Sequence, residues 1–322
     1  MQDLVTVFGG SGFIGNQVVR ALAKQGLRVR IAVRQPNLAY KAPMMGDVGQ
    51  IDIFQANVRN EASVARALEG AQGCVNLTGV LYEAGRQKFA SIHTQGAHTV
   101  AAAAGAAGVT RLVHMSALGA DATSASKYAR SKAEGEAAVR EAFPDAVIVR
   151  PSIVFGPDDS FFNKFGSMAA MAPALPLVGG GKTRFQPVYV GDVARAIAKA
   201  VTDPACAGRT YELGGPATYT FRELLELVLS ETQRRRALIP LPWPVASAIG
   251  SAGDLVAGII PPPLTSDQVQ LLKTDNVPAA GAAGLAELGV EPTAVEAIVG
   301  SYLYRYRKGG QYADETERMA AA

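Results

Sequence analysis

The chain is 322 residues long, 48% hydrophobic and 18% charged, which suits one large domain or two closely joined ones with a sizeable core and excludes a chain disordered throughout. Its formal net charge of +3 is small and its basic residues are scattered, so nucleic acid is not an expected partner. The one dense basic run, Arg234-Arg235-Arg236, reads as a solvated helix end that suits the helix dipole.

In chain order, Leu4–Phe8 is a short apolar run, followed by glycines and a helical pattern over Phe13–Lys24 that Gly26 stops. Strands are expected at Leu27–Val33, Ile51–Ala56, Cys74–Thr78, Arg111–Met115 and Val147–Arg150. Helices are expected at Ala62–Leu68, Ala90–Ala107 and Lys127–Phe143. Short, nearly continuous apolar strands alternating with helices predict a doubly wound parallel sheet of Rossmann type, covered on both faces. After Pro151 prolines and glycines become frequent, as in "MAPALPLVGGGK". Strands near Pro187–Val190 and Thr210–Leu213 flank a helix at Asp192–Val201, and Phe221–Glu231 is a further helix. The organisation expected is a dinucleotide-binding domain over 1–155, completed by strands near 187–215. A smaller, mostly helical C-terminal subdomain takes 156–186 and 216–322.

Met1-Gln2-Asp3 leads straight into a strand without the charged and apolar regions of a signal peptide, and no stretch is unbroken enough to span a bilayer. A reducing, cytoplasmic setting is therefore expected. Cys74, in an apolar run, reads as a buried thiol rather than half of a disulfide with Cys206. His93, His98 and His114 form no metal-like cluster, so no metal site is expected.

The richest stretch is "VTVFGGSGFIGNQVVRAL", where Gly9, Gly12 and Gly15 recur every third residue between the first strand and first helix. Such a turn lets backbone approach a pyrophosphate and presents the free N–H groups and positive end of a helix to it. Ser11, Phe13 and Ile14 share that turn. Beyond Val33 stands Arg34 where an acid would hold the adenosine ribose. A guanidinium pairs with a 2′-phosphate that a carboxylate repels, so NADP(H) is preferred over NAD(H). Arg30 and Lys41 are candidate assistants. In "SKYARSK", Tyr128 and Lys132 lie four apart, on one face of a helix. An ammonium beside a phenol, whose unperturbed pKa is near ~10, favours the phenolate. The same lysine suits a clamp on a nucleotide sugar.

With those glycines, Ser116 and the Tyr-x-x-x-Lys pair in place, the first two thirds resembles the extended and atypical short-chain dehydrogenase/reductase superfamily. The order agrees: Asn57-Val58 after the third strand, Leu77-Thr78-Gly79 after the fourth, Ser116 after the fifth, and "RPSIVFGP" after the sixth. The resemblance implies that Pro151, Ile153 and Val154 wrap a nicotinamide, that Tyr128 is an acid/base with its pKa lowered by Lys132, and that Ser116 orients a substrate oxygen. The family usually has an acid at Asn57; an amide still reaches an adenine edge. Longer phrases, "SKYARSKAEGEAAVREAFPDAVIVRPSIVFGPDDSFFNKF", "QPVYVGDVARAI", "GRTYELGGPATYTFRELLELV" and "LGVEP", are similar nearly end to end to the nucleotide-binding accessory subunits of respiratory complex I in their bacterial form. That likeness implies tightly held NADP(H) without turnover. It also implies complex I partners at the junction of the hydrophilic and membrane arms, on the cytoplasmic face of the inner membrane.

Three function classes stay open. One is this non-catalytic subunit. The second is a free NADP-dependent reductase, epimerase or dehydratase acting on a sugar- or quinone-like substrate. The third is a redox sensor that reads NADP(H). "WPVASAIGSAGDLVAGII" contains one charge, Asp254, and suits either a lid over substrate or a contact with a partner or membrane surface. "YLYRYRK" suits the border of an anionic face or a terminal helix packed on the core.

Overall fold

A computed structural model describes residues 3–40, 42–257, 262 and 264–312 of the chain. Lys41, residues 258–261 at the end of the apolar C-terminal stretch, and the tail over 314–322 lie outside them.

The first half is built by alternation. Strand β1 (Leu4–Phe8) leads through the glycine turn to helix α1 (Phe13–Lys24), then come β2 (Arg28–Val33), β3 (Ile51–Gln55), α2 (Glu61–Leu68) and β4 (Gly73–Asn76). A π-helical turn, Ala90–Thr94, runs into α3 (Gln95–Ala106), where a regular helix was expected from Ala90. β5 (Arg111–Met115), α4 (Lys127–Ala142) and β6 (Val147–Pro151) follow. Every residue of β1 and β4 is buried, the mark of a sheet covered on both faces.

The C-terminal half contains β7 (Val154–Phe155), α5 (Phe161–Met171), β8 (Ala174–Val178), β9 (Arg184–Phe185), β10 (Val188–Tyr189), α6 (Val190–Thr202) and β11 (Thr210–Leu213). It ends with β12 (Tyr219–Thr220), α7 (Phe221–Glu231), β13 (Ala237–Leu241), α8 (Trp243–Val256), α9 (Ser266–Leu271) and α10 (Val295–Leu303). The main sheet has seven parallel strands in the order β11-β6-β5-β4-β1-β2-β3. Of the two late strands expected, Thr210–Leu213 joins this sheet. Val188–Tyr189 instead pairs with β7 in a separate ladder. Prolines at 176 and 240 are accommodated because β8 and β13 pair only with each other, leaving each strand an outer edge.

Helices α1 and α6 cover one face of the sheet through Val18, Leu22, Val193 and Ile197. Helices α2, α3 and α4 cover the other through Val64, Leu68, Val100 and Val139. A third core, with Phe162, Leu175, Phe221, Leu225 and Val299, binds the C-terminal elements together. The order of strands reverses between β1 and β4, so their carboxyl ends, Phe8 and Asn76, open the crevice where a doubly wound sheet receives a ligand. Among the described residues no helix is long and apolar enough to cross a membrane.

Candidate nucleotide site

The glycine turn closes that crevice from below. Gly9 has φ +79°, a left-handed conformation that suits glycine. A Cβ on Gly15 would lie 2.2 Å from the Gly9 carbonyl oxygen, so only glycine allows α1 to start so close to the turn. The N-cap, Gly12, is extended, no side chain caps α1, and no acid stands in its first turn at Phe13, Ile14 and Gly15. The N–H groups and the positive dipole end are thereby left for a phosphate.

A cavity of about 350 Å³ opens above this turn. It is lined by Gly9, Ser11, Gly12, Arg34, Val58, Leu77, Thr78 and Gly79 from the expected set. Its size is at the lower end for ligand pockets and fits the adenosine–pyrophosphate half of a dinucleotide. Arg34 is the first residue past β2 and is exposed at the mouth. Gln35, Leu38, Val80 and Gln87 also line it and were not anticipated; Leu38 sits in a short 3₁₀ turn (Pro36–Ala39) and the others in connecting segments without periodic signal. Asn57 does not line the cavity. Its side-chain oxygen accepts from the Arg59 N–H at 3.1 Å, turning the amide carbonyl toward its own loop.

Pro151, Ile153 and Val154 also lie outside this cavity's lining, at the end of β6 and start of β7. The ring of Phe13 lies against Gly156, just beyond them, where a Cβ would stand 3.4 Å from the ring. That contact joins the glycine turn to the far wall.

The Tyr128–Lys132 end adjoins the cavity at Gly79. A Cβ there would be 3.3 Å from Lys132 Nζ. Lys132 is 3% exposed and donates to the Met115 carbonyl at 3.2 Å. Ser116, also 3% exposed, has an Oγ without any partner among the described residues. An ammonium with further N–H donors beside an orphaned buried hydroxyl fits the sugar hydroxyls and carboxamide of a nicotinamide nucleotide. Bound there, such a nucleotide would supply hydride chemistry. The residues themselves would hold and orient it.

The electrostatics of the pair differ from expectation. Lys132 was expected to lower the pKa of Tyr128; instead burial, and secondarily the charge of Asp267, push the phenol up to about 12. Burial lowers Lys132 to about 8 against the opposing pull of Glu136, and its Nζ stands 5.9 Å from the Tyr128 ring centroid. The phenol is therefore protonated near neutrality in this state.

His93 was not anticipated in this neighbourhood. Val80 N–H donates to its Nε2 at 3.0 Å, so the proton is on Nδ1, which donates to Ser131 Oγ at 2.9 Å. Ser131 donates in turn to the Tyr128 carbonyl at 2.8 Å. The His93 ring stacks on Phe89 at 5.3 Å and meets Tyr128 edge-on at 5.5 Å. Burial first, then the Lys132 charge, holds His93 down to about 3, so it is a neutral post. Arg234 and Arg236, read from sequence as a solvated helix end, are half-buried and donate to the carbonyls of Tyr306 and Ala169.

Residues 5–214 match the model of the NAD dependent epimerase/dehydratase family. The chain belongs to this family. It is 36% identical over 323 residues to the mitochondrial NADH dehydrogenase (ubiquinone) 1 alpha subcomplex subunit 9 of Mus musculus, covering 99% of this chain and 84% of that one. The Arabidopsis thaliana protein of that name is 35% identical, over 95% and 79%. A ceramide reductase of Caulobacter vibrioides is 31% identical over 79% of this chain and 78% of that one. Among solved structures, an NADPH-dependent quinone oxidoreductase of Escherichia coli complexed with NADPH superposes with TM-score 0.74 at 20% identity, over 93% and 99%. That likeness shows the fold.

Proposed function

We propose that this chain is an NADP(H)-binding accessory subunit of respiratory complex I whose nucleotide is held for structure and assembly. The observation that carries this reading is coverage: relatives named as complex I subunits match the whole chain, including the C-terminal third that lies beyond the family model. The bare N-terminus of α1 would take the pyrophosphate, Arg34 the 2′-phosphate, and Lys132 the ribose hydroxyls. Ser116 and Tyr128 would face the carboxamide end. We place the protein peripherally on the cytoplasmic face of the inner membrane, at the junction of the hydrophilic and membrane arms. Its C-terminal third would be turned to neighbouring subunits and the membrane surface.

The test is gentle solubilisation of native membranes followed by native electrophoresis and identification of partners. Co-migration with NADH:ubiquinone oxidoreductase is expected, together with loss of assembled complex on deletion; a chain that never migrates with it refutes the reading. For the nucleotide, Arg34→Glu should weaken NADPH far more than NADH, by about tenfold or more for a lost charge-assisted pair. Equal loss of both overturns the role given to Arg34.

A second reading, a free NADP-dependent reductase, is favoured by the intact trio Ser116, Tyr128 and Lys132 and by the similarity to a ceramide reductase. It requires substrate-dependent NADPH oxidation by the purified wild type that Tyr128→Phe abolishes.

A further inference from the structure

Helix α4, which carries Tyr128 and Lys132, is held at its start by a residue far along the chain. Asp267 accepts from the Ser126 hydroxyl at 2.8 Å, the Lys127 N–H at 2.6 Å and the Tyr128 N–H at 3.1 Å. Ser126 Oγ itself accepts from the Ala129 N–H, so the first donors of α4 are all satisfied. A carboxylate at the positive end of a helix dipole is also favourable electrostatically. Two helices therefore start near this crevice with opposite treatment: α1 is bare, α4 is closed by a side chain from the C-terminal layer.

The neighbour of Asp267 continues the connection. Ser266 donates its N–H to Asp254 Oδ1 at 3.3 Å and its hydroxyl to Asp254 Oδ2. Asp254 belongs to α8. Helix α8 also lies directly on the same strap: a Cβ at Gly253 would come within 2.0 Å of the Leu264 carbonyl oxygen, and one at Gly250 within 2.8 Å of Ser266 backbone. There is no slack between α8 and residues 264–266. On its other side α8 exposes Val245, Ile249 and Leu255 at 47%, 41% and 84%. Its one charged side chain, Asp254, is spent on Ser266.

We propose that Asp267 is a latch that couples the nucleotide site to α8, so that nucleotide binding orders the apolar face α8 presents. The proposal rests on the nucleotide reading given above. A nucleotide that touches Tyr128 and Lys132 favours one placement of α4. The three bonds to Asp267 need α4 in that placement, and the two bonds from Ser266 to Asp254, made where Gly250 and Gly253 bring α8 against the strap, pass it to α8. Coupling is reciprocal, so an intact latch must also tighten nucleotide binding. A contiguous chain of packed and hydrogen-bonded groups joins the nucleotide site to α8.

The experiment is amide hydrogen exchange by mass spectrometry on the purified full chain, with and without saturating NADPH. In wild type, NADPH is expected to slow exchange over 243–256 and 264–271 by about fivefold or more, alongside the glycine turn. In Asp267→Ala the glycine turn is still protected, α8 no longer responds, and NADPH binds about fivefold more weakly by reciprocity. Asp254→Ala cuts the strap from α8 while leaving the α4 cap in place, and it carries the test should Asp267→Ala fail to fold. Asp145→Ala, which removes an exposed carboxylate in the turn between α4 and β6, should behave as wild type. Undiminished protection of α8 in both Asp267→Ala and Asp254→Ala overturns the latch. So does wild type that binds NADPH without change in α8, which leaves the nucleotide reading standing. Wild type that does not bind NADPH overturns both.

Discussion

Lys132 sits at an unusual balance. Its ammonium is buried, bonded to one carbonyl, and drawn down to about 8 by desolvation, with two buried histidines for neighbours. Glu136, the acid that supports it, is already bound to Arg150 through two bonds at 2.8 and 2.6 Å. The ligand-free protein thus gains little from this charge, whereas a bound ribose would gain a charge-assisted pair. Lys132→Met is expected to leave unfolding free energy unchanged or raise it by about 1 kcal/mol, while weakening NADPH on the order of tenfold to a hundredfold. Urea unfolding and titration calorimetry separate the two. A variant that binds NADPH like wild type removes Lys132 from the site. The spacing in "SKYARSK" made the pair visible in the sequence, because helical periodicity places positions four apart together. The direction of the Tyr128 shift was not visible: it depends on burial and on Asp267, which is 139 positions away and carries no local signal.

At the scale of elements, α4 is positioned by a close backbone approach. A Cβ on Gly135 would lie 2.2 Å from the His93 carbonyl oxygen, within the π-helical turn that precedes α3. That turn is where His93 bonds to both Val80 and Ser131, so it ties α4 to the Gly79-Val80 loop. Gly135→Ala should therefore cost about 2–3 kcal/mol, as overpacking of a core does, and should also weaken NADPH, although residue 135 lies outside the cavity lining. Chemical denaturation checks the first part; a loss under about 0.5 kcal/mol would show that α4 can shift without cost. The strands and helices through Pro151 were legible because each carries a clean apolar run or a helical repeat bounded by glycine, as in Leu4–Phe8 and Phe13–Lys24. The π-helical turn was not, since "ASIHTQ" continues a helical composition. Nor were β8 and β13, whose five-residue pairing joins segments some sixty residues apart and includes a proline in each strand. Helix α5, "FFNKFGSMAAM", packs Phe162 and Ala169, with Phe161, Phe165 and Met168 beside them, into the third core.

Three cores meet in this molecule, and the candidate nucleotide site lies where they come together. The glycine turn joins β1 to α1, Leu77 and Val58 belong to the two faces of the sheet, and Phe13 reaches across to Gly156 beside the third core. Because a ligand in this crevice binds the folded chain and not the unfolded one, it stabilises by mass action, by about 4 kcal/mol at a thousandfold its dissociation constant. For a chain of this length that corresponds to a rise in Tm of roughly 6 °C. Thermal unfolding of nucleotide-stripped protein, repeated with NADPH, NADH and adenosine 2′,5′-bisphosphate, reads this directly. NADPH should give the largest rise and the bisphosphate a smaller one through Arg34 and the adenosine half of the cavity. In Arg34→Glu the advantage of NADPH over NADH should disappear. A wild-type Tm that none of the three raises would mean that the nucleotide is not a folding element, and the structural role given to it would fail on that result.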